Sequence, residues 1–119
     1  GFGLVGHSFE MCEGAGLAAM LSWDRLPILP NAANYARSGY NTGAADRNWA
    51  SFGVFVAVPD GMEQWQKNML VDPQTSGGLL VSCPQDHADA VVKLFHEQGY
   101  GFATVIGEMT AGSPRVTVS

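Results

Sequence analysis

The stretch LVDPQTSGGLL, residues 70–80, sets a polar, glycine-containing turn directly before an apolar run. Asp72 is suited to cap a turn that Pro73 stiffens. Gly77 and Gly78 are adjacent. Glycine loses more backbone entropy on folding than any other residue, so an ordinary loop does not need two of them together. One interpretation is structural: the two glycines allow a helix end to pack tightly against a following strand.

A second interpretation gives the same turn a binding role. Thr75 and Ser76 could present hydroxyl and backbone N–H groups to a ligand in a cleft. No histidine lies near either hydroxyl in the sequence, so no nucleophile–base pair is indicated and no catalytic residue is predicted. The residues alone leave both interpretations open.

Apolar periodicity on both sides of the turn predicts helices packed on a sheet. The run 79–83 predicts a buried strand, and Ala88, Val91, Val92 and Phe95 follow the i, i+3, i+4, i+7 spacing of an amphipathic helix. We therefore expect an α/β (α+β) fold, a layered sandwich of helices on a mixed sheet. The other predicted elements are, in chain order, a helix at 3–14, a strand at 17–23, a helix at 31–38, a loop at 40–48, a strand at 52–58, a helix from 60 or 61 to 70, a helix at 84–99 around the amphipathic pattern, and strands at 102–109 and 115–118.

Length, charge and cysteine content narrow the class of protein. The 119 residues suit one domain, 1–119, and a net charge of −5 with six Lys and Arg argues against nucleic acid binding. No apolar run approaches the ~20 residues of a membrane span, and no secretory signal opens the chain. The widely separated Cys12 and Cys83 indicate free thiols in a reducing compartment, so we expect a cytoplasmic protein.

The first residues, GFGLVGH, form a glycine-rich start to a predicted helix. Such a start exposes backbone N–H groups at the positive end of the helix dipole and favours an anion. Gly1, Gly3 and Gly6 have G-x-G-x-x-G spacing, but dinucleotide binding also requires a preceding strand, which these residues lack. Close helix packing is the alternative role for the glycines. His7 could contact a phosphate or could be an ordinary hydrogen-bonded residue.

The polar segment 41–48 is another candidate for anion binding, since Arg47 and Asn48 stand side by side in it. A solvated turn is the alternative interpretation. His87 and His96 lie on the amphipathic helix without the spacing of zinc ligands, so no metal site is predicted.

Several segments resemble the selenophosphate synthetase (selenide, water dikinase) family. GFGLVGH at 1–7 is similar to the family's TGFGLLGH, and DPQTSGGLL at 72–80 matches the family string residue for residue. The shorter similarities are LPILP at 26–30 to LPLLP, Ile106-Gly107-Glu108 to IG-x-V, and Thr42-Gly43 with Arg47-Asn48 to GGT-x-R-N. That last loop departs from the family, because Asn41 replaces a glycine and two extra or altered residues intervene.

The resemblance implies a fold and a reaction. The fold is that of the C-terminal domain of the aminoimidazole ribonucleotide synthetase superfamily. The family makes selenophosphate, AMP and phosphate from selenide, ATP and water, with Mg²⁺ and K⁺. Its N-terminal domain carries the ATP-binding segment, the reactive Cys or selenocysteine with its lysine, and most of the dimer contacts; this chain resembles only the domain that closes over the nucleotide.

Residue by residue, the resemblance supplies cleft positions but no reacting group. It implies a nucleotide or phosphate cleft at Gly1, Gly3, Gly6, His7, Arg47, Asn48, Thr75 and Ser76, and a structural turn at Asp72, Pro73, Gly77 and Gly78. Neither Cys12 nor Cys83 matches the reactive cysteine, and a functional aspartate of the family lies three positions before the residue matching Gly1.

We therefore expect a truncated C-terminal domain, inactive alone and without tightly bound cofactors, whose partner is the missing N-terminal domain. The face that meets that domain should expose apolar surface, so the chain is expected to self-associate. Two alternatives remain: a stand-alone nucleotide- or protein-binding module, and the C-terminal domain of another synthetase of the superfamily.

Overall fold

A mixed four-stranded sheet lies at the centre of the computed structural model, which describes residues 1–119. β1 (Leu17–Leu21) pairs antiparallel with β3 (Gly107–Ala111) and parallel with β4 (Arg115–Val118), and β4 pairs parallel with β2 (Val56–Ala57). The strand order is β2-β4-β1-β3, so β2 and β3 are the edge strands. The predicted class, helices packed on a mixed sheet, is confirmed.

The helices begin and end at residues that suit those positions. The first helix ends at Gly16, whose φ of 66° is a left-handed C-cap. The fourth begins with a capping box, in which the side chains of Glu63 and Gln66 each accept a backbone N–H of the other residue. The helices are α1 (Gly3–Ala15), α2 (Ala32–Arg37), α3 (Gly43–Phe52), α4 (Gln64–Leu70) and α5 (Ala88–Glu97), with 3-10 turns at Trp23–Arg25, Gly53–Phe55 and Gln85–His87.

The core lies between α1 and the sheet. Val5, Phe9 and Cys12 repeat at helical spacing along one face of α1, and all three are buried. That face packs on β1 and β4, where Ala19 and Val116 are also buried. No helix is both long and apolar enough to cross a membrane.

Two predictions upstream of residue 70 are wrong. Residues 40–48 are not all loop, because α3 begins at Gly43: the alanines after it favour helix, and Asp46 in the first turn complements the helix dipole. The predicted strand at 52–58 is reduced to Val56–Ala57, since the end of α3 and a 3-10 turn occupy the residues before it.

Two predictions downstream of the turn are also wrong. Residues 79–83 form no strand and are mostly exposed, since no neighbouring strand supplies hydrogen-bond partners. The strand predicted at 102–109 begins later, because β3 spans Gly107–Ala111, where β1 lies opposite. The amphipathic helix predicted after residue 84 is present as α5, although none of its residues is fully buried.

The buried thiol of Cys12 generates a prediction about alkaline pH. Its Sγ lies 3.4 Å from the Arg115 carbonyl oxygen, and burial raises the pKa of the Cys12 thiol above its ordinary value of 9.0. Above pH 9.0 the unfolded state therefore releases a proton that the folded state retains. Stability from this group is present below that pH and is lost as the pH rises through the folded pKa.

We expect the free energy of unfolding to fall more steeply from pH 8 to 10 with Cys12 than in Cys12→Ala. Denaturant unfolding at each pH, with Cys83→Ser in both proteins, provides the measurement. At pH 7 the variant should be about 1–3 kcal/mol less stable because a cavity replaces the sulfur. Parallel pH profiles for the two proteins would contradict the assignment.

Candidate functional site

The side-chain amide of Asn48 joins segments that are far apart in the sequence. Asn48 lies on α3 and is only 8% exposed. Its Nδ2 donates hydrogen bonds to the Gly1 carbonyl at 3.0 Å and to the Val71 carbonyl at 2.9 Å. The start of the chain, α3 and the end of α4 therefore meet at one point, which we call the Asn48 junction.

The glycines at the start of α1 permit close backbone contacts at this junction. Gly3 has a φ of +73°, and a Cβ there would lie 2.4 Å from the Val71 carbonyl carbon and Cα. A Cβ on Gly6 would lie 2.5 Å from the Phe2 Cβ. Gly1 is less confined, since the nearest atoms to its Cβ position are those of Pro73 at 3.3 Å. The chain itself therefore fills the space beside Gly3 and Gly6, as the packing interpretation of these glycines requires.

His7 stabilises the first turn of α1 from its exposed side. Its Nε2 accepts the Phe2 N–H at 3.2 Å, so the ring proton is assigned to Nδ1, which donates to Glu10 Oε2 at 2.8 Å. The side chains of His7 and Glu10 are about half exposed. His7 thus uses both ring nitrogens within α1 and makes no hydrogen bond to the Asn48 junction.

Exposed polar groups border the junction on two sides. Arg47 is exposed on α3 beside Asn48, and its guanidinium forms no ion pair or hydrogen bond. Thr75 and Ser76 form an exposed turn shortly after Pro73, which contacts Gly1. Arg47 offers a cation, and Thr75 and Ser76 offer hydroxyls, which are groups that bind an anion.

The turn at residues 72–78 is anchored at its upstream end only. Asp72 and Pro73 are half-buried, whereas the residues that follow are exposed. Neither Gly77 nor Gly78 has a positive φ, and a Cβ on Gly78 would meet no atom within 4 Å. The close packing of these two glycines against a strand, which the sequence suggested, is absent from the structure.

The predicted cleft residues thus separate into two groups. Gly3, Gly6 and Asn48 are buried and hold the backbone segments together. The exposed residues are Gly1, His7, Arg47, Thr75 and Ser76. Sequence reasoning missed the carbonyl of Val71, because a backbone acceptor leaves no signal in residue type.

Two open cavities lie elsewhere on the molecule. One of about 500 Å³ lies between α5 and the extended residues before β3, with Arg25 at its edge. The other, about 180 Å³, is lined by Trp23, Gly61 and Ser119 among others. Neither includes a predicted cleft residue, and no group of three or more His, Cys, Asp or Glu is placed to hold a metal ion.

The family described as AIR synthase related protein, C-terminal domain, matches residues 1–119. The chain belongs to this family. The AIR synthase related C-terminal domain was the fold expected from GFGLVGH and DPQTSGGLL, and that expectation is confirmed.

Individual relatives are selenide, water dikinases. The chain is 48% identical over 118 residues to that of Dechloromonas aromatica (strain RCB), covering 99% of this chain and 34% of that protein. Those of Pseudomonas straminea and Rhizobium meliloti (strain 1021) are 48% and 42% identical over 118 residues, which cover 99% of this chain and 33% and 34% of those proteins. The chain spans about a third of the length of these curated relatives, and the resemblance to selenophosphate synthetase is confirmed.

The close contact at Gly3 generates a stability prediction. Gly3→Ala places a methyl group against backbone atoms of Val71 and forces an unfavourable positive φ. We expect a loss of about 2–5 kcal/mol in the free energy of unfolding. Gly14→Ala is the matched control on the same helix, because its Cβ would meet nothing within 4 Å. That change should be neutral or stabilise by about 1 kcal/mol. Equal effects of the two substitutions would contradict the Gly3 contact.

The hydrogen bonds of Asn48 generate a second prediction. Asn48→Asp keeps the shape of the side chain but directs carboxylate oxygens at the Gly1 and Val71 carbonyls. We expect a loss of about 2–4 kcal/mol, measured by denaturant unfolding. The neighbouring exposed residue provides the control: Arg47→Gln should stay within about 0.5 kcal/mol of the unmodified chain. A fully stable Asn48→Asp protein would exclude the two-carbonyl contact.

Proposed function

We propose that this chain is the C-terminal part of a selenide, water dikinase and that its Asn48 junction borders the nucleotide cleft of the assembled enzyme. The observation that supports the proposal best is the 48% identity to such an enzyme over 99% of the chain. The reaction would consume selenide, ATP and water and release selenophosphate, AMP and phosphate, as the family resemblance implies. A cytoplasmic location is part of the proposal, because the reaction needs ATP and free cysteines suit a reducing compartment.

The exposed residues at the junction suit contacts with phosphate better than they suit a role as nucleophile or base. Arg47 carries a cation without a partner, and Thr75 and Ser76 offer hydroxyls on the adjoining turn. Gly1 borders the same surface through its contact with Pro73, and His7 lies further along α1. Gly3, Gly6 and Asn48 would fix the backbone beneath. In this assignment the chain orients a nucleotide and supplies no nucleophile or base.

The residues present do not fit a Mg²⁺ site. Mg²⁺ prefers carboxylate oxygens in octahedral geometry, and Asp72 is the only acidic side chain in the 72–78 turn. The reacting groups and the carboxylates for Mg²⁺, with any K⁺ site, would then belong to the N-terminal domain. That domain is the proposed partner, and the homodimer would form through it.

A fused enzyme tests this proposal. The upstream two-thirds of the Dechloromonas aromatica relative would be joined to this chain, and AMP release would be measured with and without selenide. We expect selenide-dependent AMP release from the fusion and none from this chain alone. The intact relative serves as the positive control. A soluble, folded fusion without selenide-dependent activity would contradict the proposal.

The role of Arg47 is tested in the same fusion. Loss of one charged contact to a phosphate should raise KM for ATP roughly 10-fold in Arg47→Gln. Lys93→Gln, which removes an exposed cation from α5, is the matched control and should leave KM unchanged. Equal KM values in the two variants would remove Arg47 from the cleft.

Calorimetry of this chain alone with Mg-ATP should show no saturable binding.

A further inference from the structure

The smaller cavity lies at the edge of the sheet where three parallel strands end. β1 and β2 both run parallel to β4, so the carboxyl ends of all three lie at the same edge. The cavity of about 180 Å³ is lined there by Trp23 and Asp24 after β1, by Pro59 and Gly61 after β2, and by Ser119 after β4. Ligands of open parallel sheets bind in the crevice outside the carboxyl ends of the strands. The topology therefore favours a small ligand at this cavity.

Backbone hydrogen bonds fix the walls of the cavity. The Trp23 N–H donates to the Ser119 carbonyl at 2.7 Å, and the Ser119 N–H donates to the Leu21 carbonyl at 2.9 Å. After β2, the Met62 N–H donates to the Pro59 carbonyl at 2.9 Å and closes a tight turn. Walls that are already formed in the free protein are typical of small-molecule sites.

Trp23 supplies an aromatic wall that other side chains support. Its ring centroid lies 5.7 Å from that of Trp65, at an interplanar angle of 75°. The guanidinium carbon of Arg37 lies 4.3 Å from the Trp65 ring centroid, so a cation of the chain itself already uses that second indole. Indole is the aromatic side chain that attracts a cation most strongly. The ring of Trp23 therefore suits a ligand with a positive charge.

Asp24 gives the cavity its charge. It is the only charged residue among those that line the cavity, and its carboxylate forms no ion pair within the chain. Arg25, the next residue, lines the other cavity and leaves this carboxylate without a partner. An aromatic ring beside an unpaired carboxylate attracts a cation, and the carboxylate repels an anion.

Gln66 adds a hydrogen-bond donor to the same walls. Its Oε1 accepts the Glu63 N–H at 2.8 Å in the capping box of α4, so its Nε2 amide group remains for a ligand. An amide N–H group of this kind requires an acceptor oxygen. The complementary molecule thus carries a positive charge and an oxygen, joined by a short apolar segment that suits Met62 and Pro59.

We propose that the cavity at the carboxyl ends of β1, β2 and β4 binds a small organic cation of the amino alcohol class. The cationic group lies against Trp23 and Asp24, and the hydroxyl oxygen accepts a hydrogen bond from Gln66. This site shares no residue with the Asn48 junction and does not depend on the proposed function.

Calorimetric titration of the 119-residue chain with choline tests the site. The matched control ligand is the neutral alcohol in which carbon replaces the charged nitrogen of choline. We expect saturable binding of choline that also shifts the indole N–H resonance of Trp23, and binding of the neutral alcohol that is roughly 10-fold weaker. Both ligands have the same shape, so the difference measures recognition of the charge.

Variants locate the binding within the chain. Asp24→Asn should weaken choline binding roughly 10-fold through loss of the negative charge, and Trp23→Leu should abolish it. Asp89→Asn removes an exposed carboxylate from the other cavity and should leave binding unchanged. Circular dichroism checks that each variant is folded. If Trp23→Leu does not fold, the two aspartate variants still decide, because substitutions of exposed residues have little effect on stability.

Three outcomes would overturn the proposal. Equal binding of choline and the neutral alcohol would show an apolar cavity that does not recognise charge. Equal effects of Asp24→Asn and Asp89→Asn would show a general attraction to a protein with a net charge of −5. A titration with choline that shows no saturation would exclude a site for this class of cation.

Discussion

The amide of Asn48 is the contact on which the arrangement of the site depends. Its two hydrogen bonds satisfy the Gly1 and Val71 carbonyls at once, and the side chain is buried. A buried carbonyl that loses its donor costs about 1–3 kcal/mol, which is more than a typical hydrogen bond contributes, and Asn48 supplies the donor for both carbonyls. The start of α1 and the end of α4 are held together by this amide rather than by apolar packing alone.

The glycines at the start of α1 illustrate how one pattern serves two different roles. A glycine-rich turn before a helix leaves room for a phosphate when its glycines face open space. Here the space beside Gly3 is taken by Val71, and that beside Gly6 by Phe2. The same residues therefore pack the chain against itself, and the positive charge beside them is that of the exposed Arg47.

Sequence reasoning succeeded where one physical signal dominated. The helix predicted at 3–14 is α1, and the 3.6-residue apolar spacing from Ala88 to Phe95 predicted α5. It failed at α3, because a polar segment with glycine resembles a loop unless its packing partners are known. The candidate site residues were chosen by motif and stay a prediction, whereas the bonds from Asn48 were not predicted because their acceptors are backbone carbonyls.

The turn at 72–78 is held by contacts at its upstream end. Upstream, Val71 is fixed by Asn48, and Pro73 lies against Gly1. Downstream, the chain has no backbone partner until residue 84. A loop fixed at one end samples many conformations, and ordering it on a ligand costs entropy that weakens binding. The position of Thr75 and Ser76 therefore depends on the upstream contacts of Val71 with Asn48 and of Pro73 with Gly1.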